Sequence, residues 1–258
     1  MRGRYPLDIH PTCDPFVHYL FTSPGNEDLL LSFVNAVLED SQRPLAKDVV
    51  VGNPFNIQRY LGDKWSVMDI KAVGEDGRIF EIEIQTLNHP AFINRSLYYW
   101  SREYSSQIRE GEDYTQLNPV ISIVMTRFEL FPELSKLHNV FYITAQDAPE
   151  YILTEDFEFH SLELVEKKII QIPKMPERLR GWIEFFSYVN QKTEEEMKVL
   201  IKKDKFLGKA YKKYEEFCQD AQMRQLAEDE WRNKLEKNTL LRFAREEGEA
   251  KGEARGEA

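Results

Sequence analysis

Asp69, Glu83 and Gln85 are the residues of this chain whose types and spacing could do chemistry. Asp69 sits between Met68 and Ile70, inside an apolar run, while Glu81, Glu83 and Gln85 alternate with Phe80, Ile82 and Ile84. In a strand, a period of two puts the three polar residues on one face and the three apolar residues on the other. An acid set among apolar neighbours is costly to bury unless a cation or a donor meets it. A divalent metal held between Asp69 and Glu83 accounts for that placement. The plainer reading is a half-exposed hairpin whose acids face solvent, and spacing alone leaves both open.

The elements that must position these residues are legible in outline. Runs over 67–73 and 78–85 flank Gly74-Glu75-Asp76-Gly77, the pattern of a β-hairpin. Ahead of it, a helical pattern starts at Asp14 with Phe16, Leu20 and Phe21 and breaks at Ser23-Pro24-Gly25. Asn26 resembles the N-cap of a second helix over 27–38, and Val49 to Val51 reads as a short strand. Asp14 has two readings: a third carboxylate of the pocket, or the commoner job of capping its helix.

After the hairpin, a helix is expected over 91–110, with Leu97, Trp100, Tyr104 and Ile108 as its core face. Arg95, Arg102 and Arg109 recur every seven residues on another face, bordered by Tyr98, Tyr99 and Ser106. Such a strip could grip a phosphate backbone, or be a solvated face paired with acids such as Glu103. The run 119–125 reads as a buried central strand, 140–144 and 157–164 as further strands, and His160 beside Glu158 as structural. Helical runs follow over 178–191, 193–204 and from Phe206 onward, with a capping box at Thr193-Glu194-Glu195-Glu196. The division expected is an α/β domain over 1–170, a helical extension over 171–246, and a glycine-spaced charged tail over 247–258 that should fray.

Composition narrows the classes. With 42% hydrophobic and 30% charged residues the chain reads as soluble and globular, and no apolar run approaches a membrane span or a signal-peptide core. A cytoplasmic location is the default. Two cysteines, Cys13 and Cys218, give no disulfide framework or CxxC site, and five histidines never fall at HxxxH spacing. Any metal should therefore be a hard, oxygen-seeking ion. The net charge of −10 argues against bulk electrostatic binding of nucleic acid without excluding a local basic strip.

Several blocks in order carry a family resemblance: NEDLLLSFVNAVL at 26–38, Met68-Asp69-Ile70-Lys71-Ala72, Glu75-Asp76-Gly77-Arg78, Ile82-Glu83-Ile84-Gln85, Arg95-Ser96-Leu97-Tyr98-Tyr99-Trp100 and Tyr104-Ser105-Ser106-Gln107. These resemble the Rpn-type recombination-promoting nucleases, also described as putative transposases, of the PD-(D/E)xK nuclease superfamily. The resemblance implies a restriction-endonuclease-like α/β core, a mixed sheet flanked by helices, that cuts DNA with Mg²⁺, Mn²⁺ or Ca²⁺. It makes Asp69 the metal-binding acid of the first strand, puts Glu83 and Gln85 at the (D/E)xK pair, and sets Asp14 near the variable helix acid. Two departures matter. Gln85 cannot bring the positive charge of the usual lysine, and His18 stands where relatives tend to carry a lysine.

Three functional classes follow. The first is a metal-dependent DNA endonuclease. The second is a nuclease fold kept as a weak or inactive binding module. The third is a self-associating scaffold in which the C-terminal helices form a homo-oligomer.

Overall fold

The computed structural model describes residues 8–53, 55, 70–170, 175–191, 195, 196, 199 and 204–256. Asp69, the start of the first hairpin arm and the capping box at Thr193 lie outside the described residues. The described strands are β1 (Val49–Val51), β2 (Ile70–Gly74), β3 (Ile79–Gln85), β4 (Val120–Thr126), β5 (His138–Phe141), β6 (Thr144–Ala145), β7 (Ala148–Ile152) and β8 (Phe157–Glu163). The helices are α1 (Asp14–Thr22), α2 (Glu27–Asp40), α3 (Phe92–Ser105), α4 (Glu166–Ile169), α5 (Glu177–Tyr188), α6 (Lys205–Gln219) and α7 (Ala221–Gly256).

Strands β1-β2-β3-β4-β8-β5 form one mixed six-stranded sheet in that order, and β6 with β7 makes a separate hairpin. β2 and β3 pair antiparallel, with Ile70 opposite Ile82 and Lys71 opposite Glu81. Gly77 closes their turn at φ +85°, where a Cβ would lie 2.3 Å from the Asn118 side-chain oxygen, so this turn needs glycine. β3, β4 and β8 run parallel. Parallel neighbours require a crossover, and α3 supplies the one between β3 and β4. β4 and β8 are buried along their whole length, which is why 120–126 reads as a nearly unbroken apolar run.

The sheet is covered on both faces, as in a restriction-endonuclease-like α/β fold. On one face Ile70, Ala72, Phe80, Ile82, Ile121, Ile123 and Met125 join α1, α2, α5 and α6 in a single core. Trp182 of α5 is fully buried there, stacked on Phe186 and edge-on to Phe33 of α2. The core therefore runs without a break across the change in composition near residue 170. On the opposite face α3 packs through Phe92, with Val124, Phe157, Phe159 and Trp100.

Several details depart from the sequence reading. α3 ends at Ser105 instead of near 110: Ser105 and Ser106 hydroxyls donate back to the carbonyls of Arg102 and Glu103, and Gln107 is drawn off to the backbone of Asn118. Leu97, expected in the core, is 44% exposed, and Phe92 and Ser96 are the residues α3 buries. Asn26 occupies an N-cap position, yet its side-chain amide donates to the Leu20 carbonyl instead of capping α2. The glycine-spaced tail, expected to fray, continues α7 to Gly256; Ala, Glu, Lys and Arg between the glycines are good helix formers. β7 had no counterpart in the sequence reading.

A second polar group lies on the α2 side of the sheet. Asp40 meets His138 Nδ1 at 2.6 Å, His138 Nε2 meets His160 Nδ1 at 2.8 Å, and His160 Nε2 meets Glu158 at 2.8 Å. Arg43 completes the chain at 3.0 Å from Glu158.

Because Trp182 joins the C-terminal helices to the sheet domain, Trp182→Ala should cost about 3–5 kcal/mol of global stability in urea titration. A loss below about 1 kcal/mol would show that α5 is peripheral to the core.

Candidate active site

β3 projects Glu81 and Glu83 onto the face that α3 covers, and the apolar Phe80 and Ile82 onto the other. Glu83 is 8% exposed, and Arg95 of α3 donates from Nη2 to its Oε1 at 2.7 Å. The Arg95 guanidinium also lies over the Phe92 ring, 5.3 Å from its centroid. Burial pushes the Glu83 carboxyl up, Arg95 pulls it down, and the nearby charge of Asp14 pushes it up again, with a net rise. The ion pair is thus what lets a carboxylate persist at this depth.

Glu81, half-buried one turn of the pleat away, lies across from Lys71 and accepts from the Ser122 hydroxyl at 3.4 Å. Lys71 itself pairs with Glu103 of α3. Burial, with the Glu103 charge behind it, pushes the Glu81 carboxyl up to about 7. Gln85 ends β3 opposite Thr126, and its backbone carbonyl accepts from the Arg127 amide at 3.2 Å.

Asp14 opens α1, but Cys13 holds the N-cap position and makes no side-chain cap. Asp14 instead faces Lys234 of α7, 3.4 Å from Oδ2, while its Oδ1 is buried with no hydrogen-bond partner. Glu230, one helical turn before Lys234, is 5% exposed and contacts the same ammonium. Burial, then the charge of Asp14, pushes its carboxyl up to about 8.

The three arginines do not form one strip. Arg95 is committed to Glu83, Arg102 is exposed in the last turn of α3, and Arg109 lies beyond the end of the helix, where its backbone amide donates to Glu112 at 2.7 Å. The seven-residue spacing fails as a helical face because α3 stops at Ser105. Sequence reasoning also missed Glu230 and Lys234. Their signal was available: Met223, Leu226, Ala227, Glu230 and Lys234 continue one helical stripe in which charged residues replace apolar ones.

Among the described residues no three carboxylate, imidazole or thiol groups converge tightly enough to hold a metal ion, and Asp69 lies outside them. The donor chemistry nevertheless suits a hard divalent ion: every acid around Glu83 offers oxygen, and Asp14 Oδ1 is an unused buried acceptor. Arg95 Nε is likewise buried without a hydrogen-bond partner, a donor open to an anion.

The folded chain holds a proton on Glu81 more tightly than an unfolded chain, whose carboxyl has the ordinary value of 4.5. Stability contributed by this site therefore falls as pH rises from about 4.5 to about 7. Glu81→Gln should stabilise the protein by about 1–3 kcal/mol at alkaline pH and by almost nothing near pH 4.5, read from denaturation midpoints. Equal shifts at both pH values would mean that Glu81 titrates as an exposed carboxyl.

Among the described residues no helix is long and apolar enough to cross a membrane. No curated protein and no solved structure gives a match to this chain. The model of the PD-(D/E)XK nuclease family transposases matches residues 11–244, spanning the sheet, both helical layers and most of α7, and the chain belongs to that family.

Proposed function

We propose that this chain is a divalent-metal-dependent DNA endonuclease that hydrolyses phosphodiester bonds in the cytoplasm, in the service of recombination or a mobile element. The observation that carries the reading is the buried Glu83 carboxyl group toward the carboxyl-terminal end of β3, paired with Arg95 and set within a group of acids. Asp69 and Glu83 are the residues assigned to the ion, and Asp14 is the third acid in reach of Glu83's charge. Mg²⁺ is the ion favoured by an all-oxygen set, with Mn²⁺ or Ca²⁺ as substitutes. When bound, such an ion polarises a phosphate oxygen and acidifies water at the site.

The chain's own groups supply the rest. The Gln85 amide, two residues beyond Glu83 on the same strand face, is suited to orient a water or a phosphate oxygen through neutral hydrogen bonds. Arg95 holds Glu83 in place and has a buried Nε to offer an anion. Arg102 is exposed and suited to the DNA backbone, and Arg109 belongs to a separate loop contact. The reading requires the β2–β3 register to continue by one residue, so that Asp69 faces Glu83 across the hairpin.

One observation favours a second reading, a nuclease fold retained for binding. Arg95 already neutralises Glu83, and Gln85 brings no charge, so the site as folded has a satisfied acid instead of an open one.

Supercoiled plasmid incubated with the protein and Mg²⁺ or Mn²⁺ separates the two. The unmodified chain should nick it, and Asp69→Asn or Glu83→Gln should lower the rate by roughly 100-fold or more. Intact plasmid with every divalent ion tried leaves only the binding module.

A further inference from the structure

The site described above draws on one element that the hairpin and α3 do not account for. α7 buries Leu226 and Ala227 and then, along the same stripe, Glu230. Lys234 follows one turn later, with its side chain only 21% exposed. On the outer side of the same turns Trp231 is 62% exposed and Leu235 47% exposed. α7 therefore turns a lysine inward and leaves a tryptophan in water, the reverse of what apolar burial alone would choose. Its ammonium lies 3.4 Å from Asp14 Oδ2 and touches the Glu230 carboxylate. Asp14 is in turn close enough for its charge to be felt at Glu83.

Among the described residues beside Glu83, two cations are already paired with acids. Arg95 is bound to Glu83 and Lys71 to Glu103, while the position two residues after Glu83 is the neutral Gln85. An ammonium has three donors, and two carboxylates engage Lys234 here.

Building on the nuclease reading, we propose that Lys234 is a positioning residue of the site, delivered by α7, which anchors Asp14 beside Glu83 and brings in the positive charge that Gln85 lacks. The C-terminal helix is then part of the machinery that handles a phosphodiester and its divalent ion, and its contribution to the site ends at Lys234. A lysine so placed has two opposite effects. It opposes a divalent cation by like charge, and it favours the negative charge that gathers on phosphate during hydrolysis.

Those opposite signs make the test specific. In the full chain, Lys234→Met should bind Mn²⁺ roughly 3- to 30-fold more tightly, measured by electron paramagnetic resonance without DNA. The same variant should nick supercoiled plasmid with a kcat roughly 10- to 100-fold lower and little change in KM. Lys234→Arg, which keeps the charge, should restore both. A merely structural ion pair would alter thermal stability while leaving Mn²⁺ affinity and kcat at their original values, and that result overturns the proposal. If Lys234→Met does not fold, Lys234→Gln carries the same two expectations and is decided in the same way. If the unmodified chain cuts no DNA, the nuclease reading fails, yet the Mn²⁺ titration still judges Lys234. Equal affinity in the variant, or no Mn²⁺ binding by the unmodified chain, rejects it.

Discussion

The constraint on which this structure turns is a carboxylate held inside the protein by a single guanidinium. Glu83 lies at 8% exposure on β3, and Arg95, twelve residues on, reaches back from α3 to meet it at 2.7 Å. Without that partner the acid would either take up a proton or destabilise its surroundings by several kcal/mol. The pair also fixes a piece of topology. β3 and β4 are parallel neighbours, the chain must cross over between them, and the Glu83–Arg95 contact pins the crossover helix to the strand it has just left. Charge placement and chain path are one arrangement here, so the acid face of the hairpin is also the face that α3 shields from water.

Around that pair the charges alternate in a way that a solvated surface does not require. Lys71 meets Glu103, Arg95 meets Glu83, and Lys234 meets Asp14 and Glu230. Acids outnumber cations there, Glu81 adds one more, and burial raises the proton affinity of Glu81, Glu83 and Glu230 together. Three elements remote in sequence, α1, the β2–β3 hairpin and α7, each bring a charged member of this group, and the family match, from residue 11 to residue 244, takes in all three elements.

Much of this was legible in the residues and some was not, for identifiable reasons. The hairpin announced itself through alternation on both sides of a Gly-Glu-Asp-Gly turn, and β4 through an apolar run that only burial on both faces permits. The mixed sheet with helical layers followed from those two and from the family blocks. The end of α3 was not readable, because serine back-bonding and the pull of Asn118 on Gln107 are tertiary and local effects that a seven-residue arginine spacing does not reveal. The partner of Arg95 was hidden for the same reason: a sequence shows that an arginine and a glutamate exist, not that a crossover brings them together. Glu230 and Lys234 were passed over because charged residues on a helix are ordinarily read as its wet side, and only the packing of α7 shows that their stripe faces inward. Asp69, which the sequence alone singles out, lies outside the described residues.

The chain of Asp40, His138, His160 and Glu158 on the other side of the sheet has a bookkeeping consequence. Three hydrogen bonds join two carboxylates through two imidazole rings, and each bond needs one proton. Two neutral rings carry only two. Glu158 is held below the usual carboxylate range by His160 and Arg43 against its own burial, while burial lowers the proton affinity of His160. The tautomer of one ring therefore decides which nitrogen of the other must donate, so the hydrogen bonds from the end of α2 across β5 and β8 switch together, and a change at either imidazole rearranges both.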